Sequence, residues 1–255
     1  MNPRFKSFTT SSGAEIFYLG PDLTDGPKPT VIYFALSATE TLFVDPFNQP
    51  ALEIAEKGIR VFSWNLPFHE EGVEPWLAMD KCYDAIRTNP FFLIDFIDLS
   101  RNHLNALYQQ GLIAPHPLGV MGLSRGGFMA THLAAQDERI KFILGFSPIT
   151  EIDYLKDFED SCNPIEKINL EFLTKQLLHT QLRFYIGNND ERVSTDACYN
   201  FIKKLTQTFI GNGVRTAPVE MMISPSIGQK GHGTSPSIFK EGAEWLSKQI
   251  LKKEI

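Results

Sequence analysis

The fold of this chain can be inferred from one segment, Pro117-Leu118-Gly119-Val120-Met121-Gly122-Leu123-Ser124-Arg125-Gly126-Gly127-Phe128-Met129-Ala130. It reads as a short apolar strand, a tight turn with Ser124 at its apex, and the first turns of a helix. Gly122 and Gly126 stand two residues before and after the serine, where a side chain would collide with the adjoining strand or helix. The pattern therefore predicts a serine held in a strained backbone, with its hydroxyl projecting over the end of a sheet.

On both sides of this segment, apolar runs typical of strands alternate with stretches of helical periodicity. A hairpin is predicted over residues 5–19, and buried strands over 30–36, 60–64, 140–146, 181–186 and 219–223. Helices are predicted over 48–58, in two pieces over 75–111, after Val193, and from the cap Ser235-Pro236 onward. This alternation predicts an α/β fold, a mostly parallel sheet with helices on both faces, in a single domain spanning 1–255.

The segment 148–180 does not follow this regular alternation. It is mixed and acidic, and it is interpreted as short helices over the sheet edge that form a small helical cap. A cap placed there would help to shape any pocket beside the serine.

Composition narrows the class of protein. The chain has 255 residues, 43% hydrophobic and 21% charged, as expected of one ordinary soluble domain. A net charge of −6, with no Lys/Arg cluster before Lys252-Lys253, gives no footprint for nucleic acid or for an anionic membrane surface. Neither an apolar stretch of the ~18 residues a spanning helix needs nor a signal peptide is recognised, and oligomeric state is left open.

Cysteine usage and motif searches argue against a cofactor or a metal. Cys82, Cys162 and Cys198 are dispersed and odd in number, which favours neither a disulfide framework nor a zinc cluster and fits a cytoplasmic location. No phosphate-binding loop or dinucleotide fingerprint occurs, and no His, Cys and carboxylate grouping has metal-ligand spacing. We therefore expect no cofactor and no metal.

Two further residues could turn Ser124 into a nucleophile. A serine hydroxyl needs a general base, and the base needs a carboxylate that fixes its tautomer. Asp190 follows the predicted strand 181–186 through a Gly-Asn-Asn turn, and His232 lies in a Gly-His-Gly loop between the last strand and the last helix. The sequence thus predicts Ser124 as nucleophile, His232 as base and Asp190 as the orienting acid.

Each of these assignments has an alternative. Ser124 could cap a helix, Asp190 could cap the helix that begins near Val193, and His232 could be structural. Other candidates for the acid are Glu191, Asp196 and Asp153. The remaining histidines are read as structural, namely His69, His103, His116, His132 and His179. Of these, His69 follows a strand end near the expected mouth of the site and could line it.

The Gly-x-Ser-x-Gly-Gly turn, the segment Gly187-x-x-Asp190-x-x-Val193 and the Gly-His-Gly loop together resemble the α/β-hydrolase superfamily. The resemblance runs from Thr30 to the C-terminus and is greatest to the compact esterases and peptidases of the prolyl-oligopeptidase/dienelactone-hydrolase branch. It implies an oxyanion hole made by the Arg125 amide and an amide of the loop after Phe34. Many members carry His-Gly in that loop, whereas this chain has Ala35-Leu36-Ser37-Ala38, so the second donor is expected at Leu36 or Ser37.

The resemblance further implies a serine hydrolase that acts on a small acyl substrate. Carboxylic esters are favoured over peptides, because peptidases of this branch usually add a large N-terminal β domain that the about 29 residues before Thr30 cannot form. A small peptidase, amidase or thioesterase, and a non-catalytic binding protein on the same scaffold, stay open as alternatives. Part of the apolar surface of segment 75–111 is expected to line an acyl pocket near Ser124, with Trp76 and His69 as substrate-binding candidates; the segment carries Trp76, Leu77, Phe91, Phe92 and Phe96. The alternative is that these rings only seal the sheet.

Overall fold

The computed structural model describes residues 6–10, 13–69, 75–89, 91–152 and 168–252. Within these ranges eight strands form one sheet in the order β1-β2-β4-β3-β5-β6-β7-β8. The strands are β1 (Ser7–Thr9), β2 (Glu15–Leu19), β3 (Thr30–Phe34), β4 (Arg60–Ser63), β5 (Leu118–Leu123), β6 (Ile140–Phe146), β7 (Gln181–Gly187) and β8 (Val219–Ser224). From β4 to β8 neighbouring strands run parallel, and the hairpin β1–β2 joins the edge at β4 in antiparallel pairing. The predicted mostly parallel sheet is confirmed.

Helices cover both faces of the sheet. They are α1 (Ala38–Phe43), α2 (Gln49–Ala55), α3 (Pro75–Thr88), α4 (Phe92–Gln109), α5 (Arg125–Gln136), α6 (Thr195–Gly211) and α7 (Pro236–Leu251). Buried side chains of α3 to α6 pack on one face, and those of α1, α2 and α7 pack on the other. Every residue of the central strands β3 and β4 is buried, which explains why the segment of β3 reads as a continuous apolar run rather than an alternating one.

The loop after β3 differs from the prediction. The strand ends at Phe34 rather than at residue 36, because a short helix, α1, begins at Ala38. Ser37 caps this helix, with its hydroxyl accepting from the Glu40 N–H while the Glu40 carboxylate accepts from the Ser37 N–H. The Ser-x-x-Glu spacing is a capping-box signal that was already present in the sequence.

The predicted cap falls largely on residues 153–167, which lie outside the described residues, so it stays a prediction. Of the remainder, Leu170–Leu173 forms a 3₁₀ turn whose two leucines are buried in the core beneath α5 and α6. The His132 ring of α5 hydrogen-bonds the Ile168 carbonyl at 2.8 Å and so ties this turn to the helix behind the serine.

None of the helices within the described ranges combines the length and the apolar character that crossing a membrane would need.

Candidate active site

Ser124 occupies the sharp turn between β5 and α5. Its backbone lies at φ 53° and ψ −116°, a region that non-glycine residues rarely adopt. A β-carbon at Gly122 would overlap the backbone of Gly126, and one at Gly126 would overlap the carbonyl oxygen of Phe34. Although Ser124 stands at the N-cap position of α5, its side chain makes no capping hydrogen bond. The two glycines thus let strand and helix close on the turn, and the hydroxyl is left to project from it.

The structure brings Ser124, Asp190 and His232 together at the carboxyl end of the parallel strands. The His232 Nε2 atom lies 3.0 Å from the Ser124 Oγ, and His232 Nδ1 lies 2.8 Å from the Asp190 Oδ2. The Asp190 side chain is fully buried, and that of His232 is 8% exposed. Each residue comes from the loop after a different strand, β5, β7 or β8, and these loops meet because parallel strands end at one edge.

Asp190 uses both oxygens of its carboxylate. While Oδ2 faces His232, Oδ1 accepts from the backbone N–H groups of Arg192 at 3.0 Å and Val193 at 3.1 Å. These bonds fix the carboxylate plane, so the side chain has little freedom to turn from the imidazole. The residue that caps α6 is Ser194, whose hydroxyl accepts from the Ala197 N–H.

The other candidates for the acid differ in their surroundings. Glu191 and Asp196 are both exposed, and Glu191 accepts a hydrogen bond from the Asn189 side chain. Asp153 lies outside the described residues.

The loop that carries His232 is fastened to the loop that carries Asp190. The Asn189 N–H donates to the Ser226 hydroxyl at 2.7 Å, and the Ser226 N–H donates to the Asn188 side chain at 3.0 Å. The Glu191 N–H donates to the Lys230 carbonyl at 2.9 Å. These cross-links hold the imidazole and the carboxylate in register.

The amides expected to form an oxyanion hole differ in how they are used. Arg125 is the first residue of α5, where a helix leaves its N–H groups without internal acceptors and favours negative charge. The Leu36 N–H instead donates to the Thr41 Oγ1 at 3.0 Å, and the Ser37 N–H donates to the Glu40 Oε2 at 3.2 Å. Both loop amides are therefore engaged within the cap of α1, and their role as oxyanion donors stays a prediction.

A cleft of about 610 Å³ opens beside Ser124. Apolar side chains dominate its walls, with a few polar groups near the nucleophile, as is typical of small-molecule sites. Its apolar lining comprises Ala35, Leu36, Pro46, Phe47, Met79, Leu123, Ile227 and Phe239. His69 and the two arginines Arg125 and Arg192 also line it.

The aromatic residues of segment 75–111 do not supply this lining within the described part of the chain. Phe92 stacks on Phe68 with ring centroids 5.4 Å apart, and Phe96 packs edge-on against Phe34 in the core. Phe91 is exposed. The segment contributes Met79 from α3 instead, and the Trp76 side chain lies outside the described residues.

His69 is enclosed although it lines the cleft. Only 3% of the residue is exposed, and its Nδ1 atom is buried without a hydrogen-bond partner. Burial, together with the nearby positive charge of Arg125, lowers the pKa of this histidine to about 4. The ring is therefore neutral at physiological pH.

The side chain of Arg125 has a structural role that its sequence context did not suggest. The guanidinium is buried and donates to the carbonyls of Ala78 in α3 at 3.2 Å and of Pro67 at 3.1 Å. The side chain of Arg125 therefore holds α3 and the loop after β4 against the turn at Ser124, and a role of its backbone N–H in an oxyanion hole stays a prediction. A buried arginine was not foreseen, because arginine is usually exposed.

The described residues contain no grouping of three or more His, Cys, Asp or Glu side chains that could hold a metal ion. Cys82 and Cys198 are buried free thiols, and burial raises the pKa of Cys198 to about 12, so that thiol stays protonated.

Comparison with known proteins finds no matching family model and no matching curated protein. Solved structures do match over the whole chain. A Thermus thermophilus protein, TT1662, is similar at 17% identity and a TM-score of 0.73, covering 99% of this chain and 100% of that one. The Pyrococcus furiosus esterase PF2001 matches at 16% identity and a TM-score of 0.65, and the match covers 98% of this chain and 91% of the esterase.

A third similar structure is the acylaminoacyl peptidase of Pyrococcus horikoshii, at 16% identity and a TM-score of 0.69. The match covers 100% of this chain but 42% of the peptidase. At these identities the likeness speaks for the architecture, and the chain has the α/β-hydrolase fold.

Proposed function

We propose that this protein is a serine hydrolase that cleaves carboxylic esters through an acyl-enzyme on Ser124. The observation that carries the proposal is the pair of hydrogen bonds that runs from Ser124 Oγ through His232 to Asp190, at 3.0 and 2.8 Å. With its Nδ1 proton donated to the Asp190 carboxylate, the imidazole presents the Nε2 lone pair to the serine hydroxyl. That arrangement is what a general base for serine requires.

In the proposed reaction Ser124 Oγ attacks the ester carbonyl carbon while its proton passes to His232 Nε2. The negative charge on the carbonyl oxygen is received by the Arg125 N–H at the start of α5. Collapse of the tetrahedral intermediate expels the alcohol, which takes the proton from His232. Water then attacks the acyl-enzyme with His232 again as base, and the carboxylic acid leaves with Ser124 restored.

Esters are proposed over peptides because the cleft beside Ser124 is mostly apolar, which suits an acyl group better than an extended polypeptide.

The test uses an active-site-directed fluorophosphonate together with matched substrates. Wild-type protein should be labelled and should hydrolyse nitrophenyl esters, whereas Ser124→Ala should lose labelling and about 10⁶ in turnover. A Ser124→Ala protein that kept a tenth of the activity would show that the nucleophile is assigned wrongly. Absence of labelling in folded wild-type protein would favour a binding protein, and faster turnover of aminoacyl anilides than of esters would favour a peptidase.

A further inference from the structure

The loop after β3 has few free amides to offer an oxyanion. Three consecutive N–H groups are already used, since Leu36 donates to Thr41 and Ser37 to Glu40, and the Ala38 N–H donates to the Asn65 side chain at 2.8 Å. A donor that is already bonded must give up that bond before it can stabilise charge, which lowers its value to the reaction.

The remaining amide of this loop, at Ala35, is directed elsewhere. In the ladder between β3 and β4 the Arg60 N–H donates to the Pro29 carbonyl at 2.9 Å. Successive residues of a strand direct their backbone N–H and C=O groups to opposite neighbouring strands. The odd-numbered residues of β3 therefore hydrogen-bond to β4. The Ala35 N–H, one residue beyond the strand, continues this alternation away from β5 and the nucleophile. We therefore look for a second oxyanion donor on another element.

His69 has the properties such a donor needs. It lines the same cleft as Ser124 and is almost completely enclosed, and burial keeps its ring neutral. A neutral imidazole has one N–H donor and one lone pair. It can therefore donate to a developing oxyanion without first bringing a full positive charge into an apolar pocket.

The position of the proton on His69 follows from its surroundings. Nδ1 is enclosed without a partner, so Nε2 is the ring nitrogen left to face the cleft. A buried N–H without an acceptor is rarer than an unpaired acceptor. The proton is therefore placed on Nε2.

We propose that His69, protonated on Nε2, donates the second hydrogen bond to the oxyanion, opposite the Arg125 amide. This inference rests on the proposed function, since it concerns the carbonyl oxygen of the ester that Ser124 attacks. It assigns to the loop after β4 a role that the sequence pattern placed in the loop after β3. The Leu36 and Ser37 amides then serve to hold α1 rather than the substrate.

Three substitutions at one position test the role of the ring. His69→Leu removes the donor and should lower kcat by about 10² to 10³, with a smaller change in KM. His69→Gln places an amide N–H where Nε2 stood and should recover most of that loss. His69→Asn reaches only as far as Nδ1 and should behave like His69→Leu.

The matched control is His103→Gln. His103 is also buried, and burial also lowers its pKa, but it packs edge-on against Trp64 and does not line the cleft. Its replacement should lower stability without changing the kcat of the folded protein, and circular dichroism should verify folding of each variant.

Nitrogen-15 NMR of the wild-type ring supplies a measurement independent of activity. The shifts of His69 should show a neutral ring protonated on Nε2 between pH 5 and 8, and that proton should move downfield when a trifluoromethyl ketone adds to Ser124. Protonation on Nδ1, or a His69→Leu kcat within about threefold of wild type, would overturn the inference and return the second donor to Leu36 or Ser37. Neither result would affect the proposed function, which is tested separately by labelling of wild-type protein, by the activity of Ser124→Ala and by the preference for esters.

Discussion

The substitution Asp190→Asn tests the link between the acid and the base most directly. The side chain is fully buried and accepts three hydrogen bonds, one from His232 and two from backbone N–H groups. In the variant the amide oxygen can keep both backbone bonds, which leaves the NH₂ group facing His232 Nδ1. That NH₂ group can only donate, so His232 must carry its proton on Nε2, where it opposes the serine hydroxyl.

The expected magnitude follows from this geometry. Because the wrong tautomer removes the base but not the fold, turnover should fall by roughly 10⁴, about 5 kcal/mol of lost transition-state stabilisation. Both backbone hydrogen bonds survive and the bond to His232 is reversed in direction and loses its charged acceptor, so the free energy of unfolding should fall by only about 1–2 kcal/mol. Turnover of a nitrophenyl ester and urea denaturation of the same preparation measure the two quantities.

The matched control is Glu191→Gln, one residue away and exposed. It should leave both turnover and stability close to wild type, since surface substitutions usually change stability by less than about 0.5 kcal/mol. An Asp190→Asn protein that turned over at a tenth of the wild-type rate or faster would refute the assignment. The acid would then have to be sought elsewhere in the chain, with Asp153 as the first candidate.

Three further outcomes are expected. Gly126→Ala should destabilise the protein by about 2–3 kcal/mol and abolish activity, because the new β-carbon overlaps a backbone carbonyl at the end of β3. The control Gly211→Ala, whose β-carbon would lie in open space, should be neutral or slightly stabilising in thermal melts. Phe47→Ala should change the preference between short- and long-chain esters by about 1–3 kcal/mol, whereas Phe92→Ala, which does not line the cleft, should leave the ratio of their kcat/KM values unchanged. Burial lowers the pKa of His132 from 6.5 to about 4, so the stability this neutral ring contributes is present above pH 6.5 and is lost as pH falls toward 4. The stability of wild type relative to His132→Gln should therefore decrease by about 3 kcal/mol over that interval in urea titrations, and a pH-independent difference would contradict the burial argument.

The sequence predicted the architecture well because its signals are local and repeated. The predicted strand 140–146 coincides with β6, and 181–186 coincides with β7 to within one residue, since the buried apolar residues that end both strands stand out although Lys141 and Arg183 are polar. The order of Ser124, Asp190 and His232 placed each at a strand end, and parallel strands necessarily end together. The meeting of these three residues at one edge of the sheet therefore follows from the parallel arrangement of the strands.

The parts that sequence reasoning missed depend on contacts between distant segments. The engagement of the Leu36 amide by Thr41 could have been anticipated from the Ser37-x-x-Glu40 capping signal, which marks a helix directly after the loop. The lining of the cleft could not have been anticipated from the sequence, because Phe47 and Met79 reach it from elements far apart in the chain. The aromatic density in 75–111 was interpreted as a pocket lining, whereas Phe96 packs against Phe34 in the core.

The cross-links between the loops of Asp190 and His232 have a mechanical consequence. Asp190 and His232 are held together, because hydrogen bonds at Asn189, Ser226 and Lys230 join the two loops that carry them. Ser124 is held instead at the end of β6, since its N–H donates to the carbonyl of Phe146, the last residue of that strand, and its carbonyl accepts from the Ile149 N–H. A displacement of the Asp190 and His232 loops relative to the turn at Ser124 would lengthen the distance from Ser124 Oγ to His232 Nε2. It would leave the hydrogen bond between His232 and Asp190 intact. Such a displacement would therefore act on the hydrogen bond from His232 to Ser124 before it acted on the bond from His232 to Asp190.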